Sequence, residues 1–307
     1  SYRSSWYFFL HSKPGSSNIL YLDFDGHVIP STTAWTNVNL TAVAYDTNGD
    51  VNSFTTTELN NIAEVWHRIA DDLSPFDVDV TTEEPSTFTS TTGRLLFTKD
   101  TDANGLAMPA QGAGGVAYVN VFGGGSYVNT YSPALVYYDN LGSGFPPFLT
   151  EAGSHEFGHN LGLGHDAQTD TSYYGGHGPS TSLISWGPIM GTGYNRNVSQ
   201  WSKGEYTDAS NTQDDLGIMN TKMGYRPDDH GDSLATATAL LVDGAGNVTS
   251  TNPETDPFNS NPDNKGIIEL RSDVDMFYFD AAAGAVSLSV LPAWDAFERA
   301  SNGRGAN

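Results

Sequence analysis

The chain has 307 residues, of which 36 are acidic and 13 basic, giving a net charge of −23 at pH 7. A balance that negative argues against nucleic-acid and anionic-membrane partners, because binding their phosphates needs Lys and Arg. The absence of cysteine excludes disulfides and thiolate-held metals, while 15 Tyr, 15 Phe and 6 Trp argue for a folded, loop-rich protein.

The apolar stretches are short. Trp6–Leu10 is typical and lies far below the ~20 residues that span a bilayer, so no membrane span is expected. The chain opens at Ser1 with no signal-like segment, which reads as a processed or trimmed form. Residues 19–25 alternate apolar and polar and predict a strand. Asp46-Thr47-Asn48-Gly49-Asp50 has turn chemistry and misses the spacing of a helix–loop–helix calcium site. Thr55 followed by Glu58 forms a capping box, and Leu59, Ile62, Ala63, Trp66, Ile69, Ala70 and Leu73 share one face of the helix it opens. His67 falls beside that face and reads as structural. Ser74-Pro75 ends the helix.

Short strand-like runs follow at Phe76–Thr82, Leu95–Thr98, Val116–Val121 and Ala134–Tyr138, separated by Gly or Pro turns. Asp77 and Asp79 share one side of the first run and read as solvent-exposed carboxylates. A second helix is predicted over Pro147–Leu163 and a third over Asp214–Met223. Gly164–Thr212 has little periodicity, and a loop of that length usually walls a functional site. His177 lies in it as a loop histidine. The fold class is therefore α+β, a mixed sheet with helices packed on it. At Arg226-Pro227-Asp228-Asp229 the texture changes. Residues 228–307 carry 13 acidic and 4 basic residues and a loose β pattern at Ile267–Leu270, Met276–Phe279 and Val286–Leu291. Two units are expected, 1–227 and 228–307.

The second helix carries the chemistry. Residues 155–165 read HEFGHNLGLGH, which fits H-E-x-x-H-x-x-G-x-x-H. His155 and His159 stand four apart on one helix face, so their imidazoles reach one zinc ion. Gly162 lets the chain leave the helix in a left-handed conformation and bring His165 round as third ligand. Three neutral histidines leave a coordination position open, the mark of catalytic zinc. Glu156 stands beside the metal, placed to take a proton from the activated water. No G-x-S-x-G surrounds a serine, and Gly123-Gly124-Gly125 lacks the Lys-Ser/Thr of a phosphate loop.

With these residues the chain resembles the metzincin metalloproteases, whose name covers this zinc motif. Trp186-Gly187-Pro188-Ile189-Met190-Gly191, with Met190 placed 25 residues after His165, resembles their Met-turn, in which a methionine sulfur forms an apolar floor under the histidines. His165-Asp166 resembles the reprolysin-like branch, where the Asp anchors the turn by hydrogen bonds. The likeness runs over about residues 19–226. It implies a metzincin-type mixed twisted sheet, with Val116–Val121 as the edge strand that pairs with an extended peptide. The chain departs from animal reprolysins in having no disulfides and no cysteine-switch thiol. Astacins and serralysins carry a Tyr two residues after the Met. Here that position is Thr192, and Tyr194 is the candidate hydrogen-bond donor to the oxyanion. The Asp228–Ala237 and Asp273–Phe279 motifs resemble a bacterial pre-peptidase C-terminal domain, a small β-sandwich, here incomplete.

These readings together predict a secreted, extracellular, bacterial zinc endopeptidase, a monomer acting on protein or peptide substrates. Calcium is expected to steady the loops of an acidic chain without disulfides, with no ligands assigned. The alternatives are a binding or adhesion module on a metzincin scaffold and a zinc hydrolase of a non-protein amide. Loss of Glu156 or a ligand would favour the first, and neither is lost.

Overall fold

The structure is a computed structural model that describes residues 6–179, 182 and 184–290. In chain order it runs β1 (Ile19–Asp23), β2 (His27–Ile29), β3 (Leu40–Ala42), α1 (Thr56–Asp72), β4 (Asp79–Thr81), β5 (Thr92–Thr98), β6 (Gly115–Val116) and β7 (Ala134–Tyr137). Then come α2 (Pro146–Leu161), β8 (Trp186–Pro188), β9 (Val198–Gln200), α3 (Asp215–Met223), β10 (Thr238–Ala239) and β11 (Phe277–Tyr278). The central sheet has the order β4-β1-β5-β7-β6, parallel throughout except for β6, which pairs antiparallel at one edge.

The two-residue side-chain period of a strand sorts this sheet into two faces. Leu95, Phe97, Ala134 and Val136 point to one face, where Ile62, Trp66, Ile69 and Leu73 of the α1 stripe and Leu149, Ala152, Phe157 and Leu161 of α2 complete the main core. Leu96, Leu135 and Tyr137 point to the other, covered by Ile29, Leu40 and Ala42 of the antiparallel β2–β3 pair and by Met108. The central strands are buried on both faces, so Leu95–Phe97 and Ala134–Tyr137 are apolar runs rather than alternations.

Both halves of the Thr55–Glu58 capping box are made. Glu58 also accepts from the Thr47 amide at 2.7 Å, while Asp46 Oδ1 takes the amides of Asn48, Gly49 and Asp50, so residues 46–50 form a braced turn. The third helix starts at an Asp214 N-cap whose side chain accepts from the Gly217 amide. His67 stays in α1 against Trp66, its burial holding the imidazole down to about 4.

Three expectations need correction. Asp79 is buried rather than solvated. It accepts from the Ser12 and Lys13 amides at 3.0 Å and pairs with His11, while Asp77 pairs with Lys13. These carboxylates are spent tying the N-terminal segment to the β4 edge. The strand expected at Val116–Val121 survives only as Gly115–Val116. Beyond it the chain turns to the end of α2, where the Asn120 amide donates to His159 O and the Val121 and Phe122 amides to Asn160 O. A helix leaves its last carbonyls without intrahelical partners, and this segment supplies them.

The third correction concerns 228–290. Its described residues form a single two-strand parallel pair, β10–β11, with no strand at 267–270 or 286–290. Residues 291–307, including the end of the expected Val286–Leu291 strand, lie outside the described residues. A sandwich layer requires an apolar face, and here Ile268, Leu270, Val286, Leu288 and Val290 are all exposed. The segment touches the rest of the chain through a few groups. His11 N donates to Pro257 O, Asn259 Nδ2 to Ser12 O, Phe258 stacks on His11, and Ile267 packs against the main core.

Candidate metal centre and active site

Helix α2 begins with two prolines, whose fixed φ suits a first turn and whose missing N–H has no helical partner to lose. It ends at Gly162 with φ of +113°, a left-handed conformation that costs a glycine little. That turn carries the chain back so that His165 faces His155 and His159. The ligand atoms of the three rings all lie within 4.8 Å of one another, with Nε2 of His159 and His165 3.0 Å apart.

Hydrogen bonds fix the ring orientations. His155 Nδ1 lies 2.9 Å from the Ile189 carbonyl and His159 Nδ1 lies 2.8 Å from the Leu163 carbonyl. A carbonyl only accepts, so both Nδ1 atoms carry the proton and both Nε2 atoms present lone pairs. Burial keeps the cluster neutral. His155 is drawn down to about 3, with its neighbour His159 adding to the effect, and His159 and His165 are lowered for the same first cause. Converging lone pairs repel unless a cation lies among them. A neutral, nitrogen-only triad whose outer ring atoms are braced by carbonyls fits zinc.

The Met-turn closes the floor. Met190 is fully buried, and an ideal Cβ placed on Gly158 would lie 2.5 Å from its sulfur. Gly158 stands between the two helical histidines, so the sulfur packs on bare helix backbone there. The turn is tied to the residue after His165: Asp166 N donates to Met190 O, Tyr174 N to Asp166 O, and Thr192 N to Tyr174 O. Asp166 itself is buried and accepts from the Tyr206 hydroxyl at 3.4 Å.

Glu156 is buried, and burial pushes its carboxyl up to about 8. It lies against the sheet edge, where a Cβ on Gly115 would sit 2.7 Å from Oε1. Glycine at that position lets strand β6 and the carboxylate share one corner. Tyr194 is half-buried, edge-on to Phe148, with its hydroxyl 3.5 Å from where Gly114 would carry a Cβ. Burial raises its phenol, and the nearby Glu151 and Glu156 carboxylates raise it further.

Tyr173 is a neighbour the sequence reading missed. Its ring lies 4.2 Å from that of His165 and 6.1 Å from that of His155, and it is 42% exposed. It comes from the long loop after the third histidine, where no periodicity singles out one aromatic among several. His177 is in the same loop but outside the ligand group, paired with the Trp186 backbone and hydrogen-bonded to Tyr174.

The family model described as metallo-peptidase family M12B, reprolysin-like, matches residues 38–166. The match starts just before β3 and ends one residue past His165, so it contains α1, α2 and all three histidines. Over that stretch the chain is similar to zinc metallopeptidases. No curated protein matches the chain.

Proposed function

We propose that the protein is a zinc-dependent endopeptidase of metzincin type, with His155, His159 and His165 holding the metal and Glu156 as general base. The observation that carries this is the joint placement of three inward lone pairs, one buried carboxylate and one sheet edge at a single corner. When bound, zinc supplies Lewis acidity that polarises a carbonyl and lowers the pKa of a water molecule.

The residues of the chain do the rest. A peptide lying along β6 adds a strand to the sheet, because β6 is the last strand in its order. That register holds the scissile bond beside Glu156. The carboxylate takes the proton of the attacking water and later delivers it to the leaving amine. A metal cation nearby favours the ionised form, so the raised affinity for protons in the bare pocket falls toward the range a base needs. Tyr194 donates its hydroxyl proton in a hydrogen bond to the developing oxyanion. Met190 and the Ile189 carbonyl keep the ligands from turning. The acidic composition fits a secreted, extracellular enzyme that acts as a monomer, and the likeness of its tail motifs suggests a bacterial source.

The experiment is Glu156→Gln. The variant is expected to keep its zinc and its melting temperature and to lose ~10²–10⁴-fold in kcat/KM on an unfolded protein substrate. Near wild-type cleavage by zinc-loaded Glu156→Gln would remove Glu156 from the mechanism.

A further inference from the structure

A second concentration of carboxylates lies far from the histidines in sequence. Asp228, Glu269 and Asp273 have carboxylate oxygens all within 4.8 Å of one another, and Asp228, Asp229 and Asp275 form an overlapping set under the same limit. Surface acids cluster by chance, and a cluster alone means little. Glu269 is different. It is only 5% exposed, and neither of its carboxylate oxygens has a hydrogen-bond partner. One enclosed oxygen of Asp273 and one of Asp275 are unpartnered as well. A buried carboxylate without a donor is costly, and natural proteins satisfy or neutralise it.

The basic groups nearby do so only in part. His230 is 3.7 Å from Asp229, but its ring is engaged by Thr238 at 2.8 Å and by the Lys265 carbonyl at 2.6 Å. Lys265 is turned toward Asp256, Thr251 and Asn259. Arg226 donates to the Ser12 carbonyl, and its one charge is shared among Glu269, Asp79, Asp77 and Asp229, so it does not neutralise the cluster. Crowding shows in the proton affinities. Burial pushes Glu269 up to about 8, with Asp229 and Asp273 adding to it, and burial pushes Asp275 up to about 6. The backbone is shaped around the group too, since a side chain at Gly266 would collide with Asp275 Oδ2.

We infer that Asp228, Glu269 and Asp273, with Asp229 and Asp275 beside them, form a calcium site that ties residues 269–275 to the first residues of the same segment, 228 and 229, shortly after the third helix ends. Oxygens that ligate one calcium at 2.3–2.6 Å stand at most about 4.6–5.2 Å apart, which matches the spacing here. The donors are all oxygen, so zinc and other nitrogen- or sulfur-seeking metals are disfavoured. Magnesium prefers near-ideal octahedra and keeps its waters, which suits a pocket of several direct carboxylates poorly. The clasp spans the chain usefully. Asp228 and Asp229 follow Arg226 and Pro227, and the Arg226 amide donates to Pro75 O, while Glu269, Asp273 and Asp275 come some forty residues later.

The test is calcium binding by isothermal titration to the full, zinc-loaded chain in metal-stripped buffer, with zinc content measured before and after. Wild type is expected to show saturable binding and a melting temperature that rises by several degrees with calcium. Glu269→Gln is expected to weaken binding at least tenfold, keep its zinc, and melt at or above wild type when calcium is absent, because a buried charge has gone. Asp273→Asn, at a less buried position, is the second variant and is expected to weaken binding likewise. Absence of saturable binding up to about 10 mM, above the ~10⁻⁴–10⁻³ M of weak extracellular sites, overturns the inference. So does calcium binding unchanged in both variants. Magnesium binding as tight as calcium overturns the choice of ion.

Discussion

Gly158→Ala puts one methyl group where the helix meets the Met-turn. The ideal Cβ lies 2.5 Å from Met190 Sδ, 3.2 Å from Trp201 Cζ3 and 3.3 Å from Leu163 Cδ1. Met190 is fully buried and the indole of Trp201 is pinned by its hydrogen bond to the Asp72 carbonyl, so neither moves freely. Overpacking of this kind costs typically about 1–3 kcal/mol, and alanine in place of helical glycine returns up to about 1 kcal/mol. The net expectation is about 1–2 kcal/mol of destabilisation, a fall of about 2–8 °C in melting temperature. The displaced turn also carries the Ile189 carbonyl that orients His155, and losing such a support costs about 10–100-fold in metal affinity. The assay is thermal melting together with zinc competition against a chromophoric chelator. Met190→Val removes the sulfur that the new methyl meets. In that background Gly158→Ala should cost less, with a coupling of at least about 0.5 kcal/mol. A Gly158→Ala protein with wild-type melting and zinc affinity, or strict additivity with Met190→Val, would refute the argument that the sulfur rests on the helix backbone at this position.

Glu151 lies in α2 with Oε2 enclosed and unpartnered and Oε1 accepting from the Ser199 hydroxyl, and burial pushes its carboxyl up from 4.5 to about 7. The folded chain therefore binds this proton more tightly than the unfolded one, so the stability it confers is complete below about pH 4.5 and is lost as pH rises toward 7. Up to about 3 kcal/mol is involved. Glu151→Gln should melt with a flatter profile between pH 5 and 8 and gain most at the alkaline end, and a slope equal to wild type counts against it. Tyr194→Phe should lower kcat by ~10²-fold or more with KM little changed, as loss of an oxyanion donor does, and an unchanged kcat removes the phenol from the reaction.

How much of this was visible in the chain depends on how local the cause is. Helix α1 was legible because its signals are adjacent residues: the Thr55–Glu58 box opens it and the stripe from Leu59 to Leu73 needs only helical spacing. The three histidines were legible for the same reason, since eleven consecutive residues determine their meeting. Gly158 was invisible as a packing site, because its partner Met190 is 32 residues away. The 116–121 run has the Val and Tyr content of a strand, yet the unpaired carbonyls at the end of α2 took the amides of Asn120, Val121 and Phe122. That competition between a sheet edge and a helix end cannot be read from either segment alone. Tyr173 and the β2–β3 pair were missed because their partners are tertiary. The acidic residues after 227 were read only as part of a separate β-rich unit, and it is folding that encloses Glu269 among them.

The two-unit reading of the chain makes the remaining prediction, that residues 1–227 alone fold, bind zinc and cut a short peptide. The sheet order supplies the argument. The C-terminal segment meets the N-terminal stretch at His11 and Ser12, and His11 is bonded to Asp79 in β4. Strand β4 is one edge of the sheet and β6, beside Glu156, is the other. Four strand spacings separate them, about 19 Å, so no group after residue 227 that touches the β4 edge also reaches the cleft. Removal does uncover apolar surface, because Ile267 packs against the main core and Phe258 lies against His11 and Phe9. Two partly buried side chains are together worth about 2–4 kcal/mol at most, which lowers the melting temperature without unfolding a domain of this size. The fragment also loses the five carboxylates of the calcium clasp, so its melting should no longer respond to calcium. The opposing view is that the segment completes the core or the cleft. Purified residues 1–227 decide between them. A soluble fragment with kcat/KM within about tenfold of the full chain supports two units. An insoluble fragment, or a loss beyond tenfold (about 1.4 kcal/mol in the barrier), means that the segment is part of the catalytic unit.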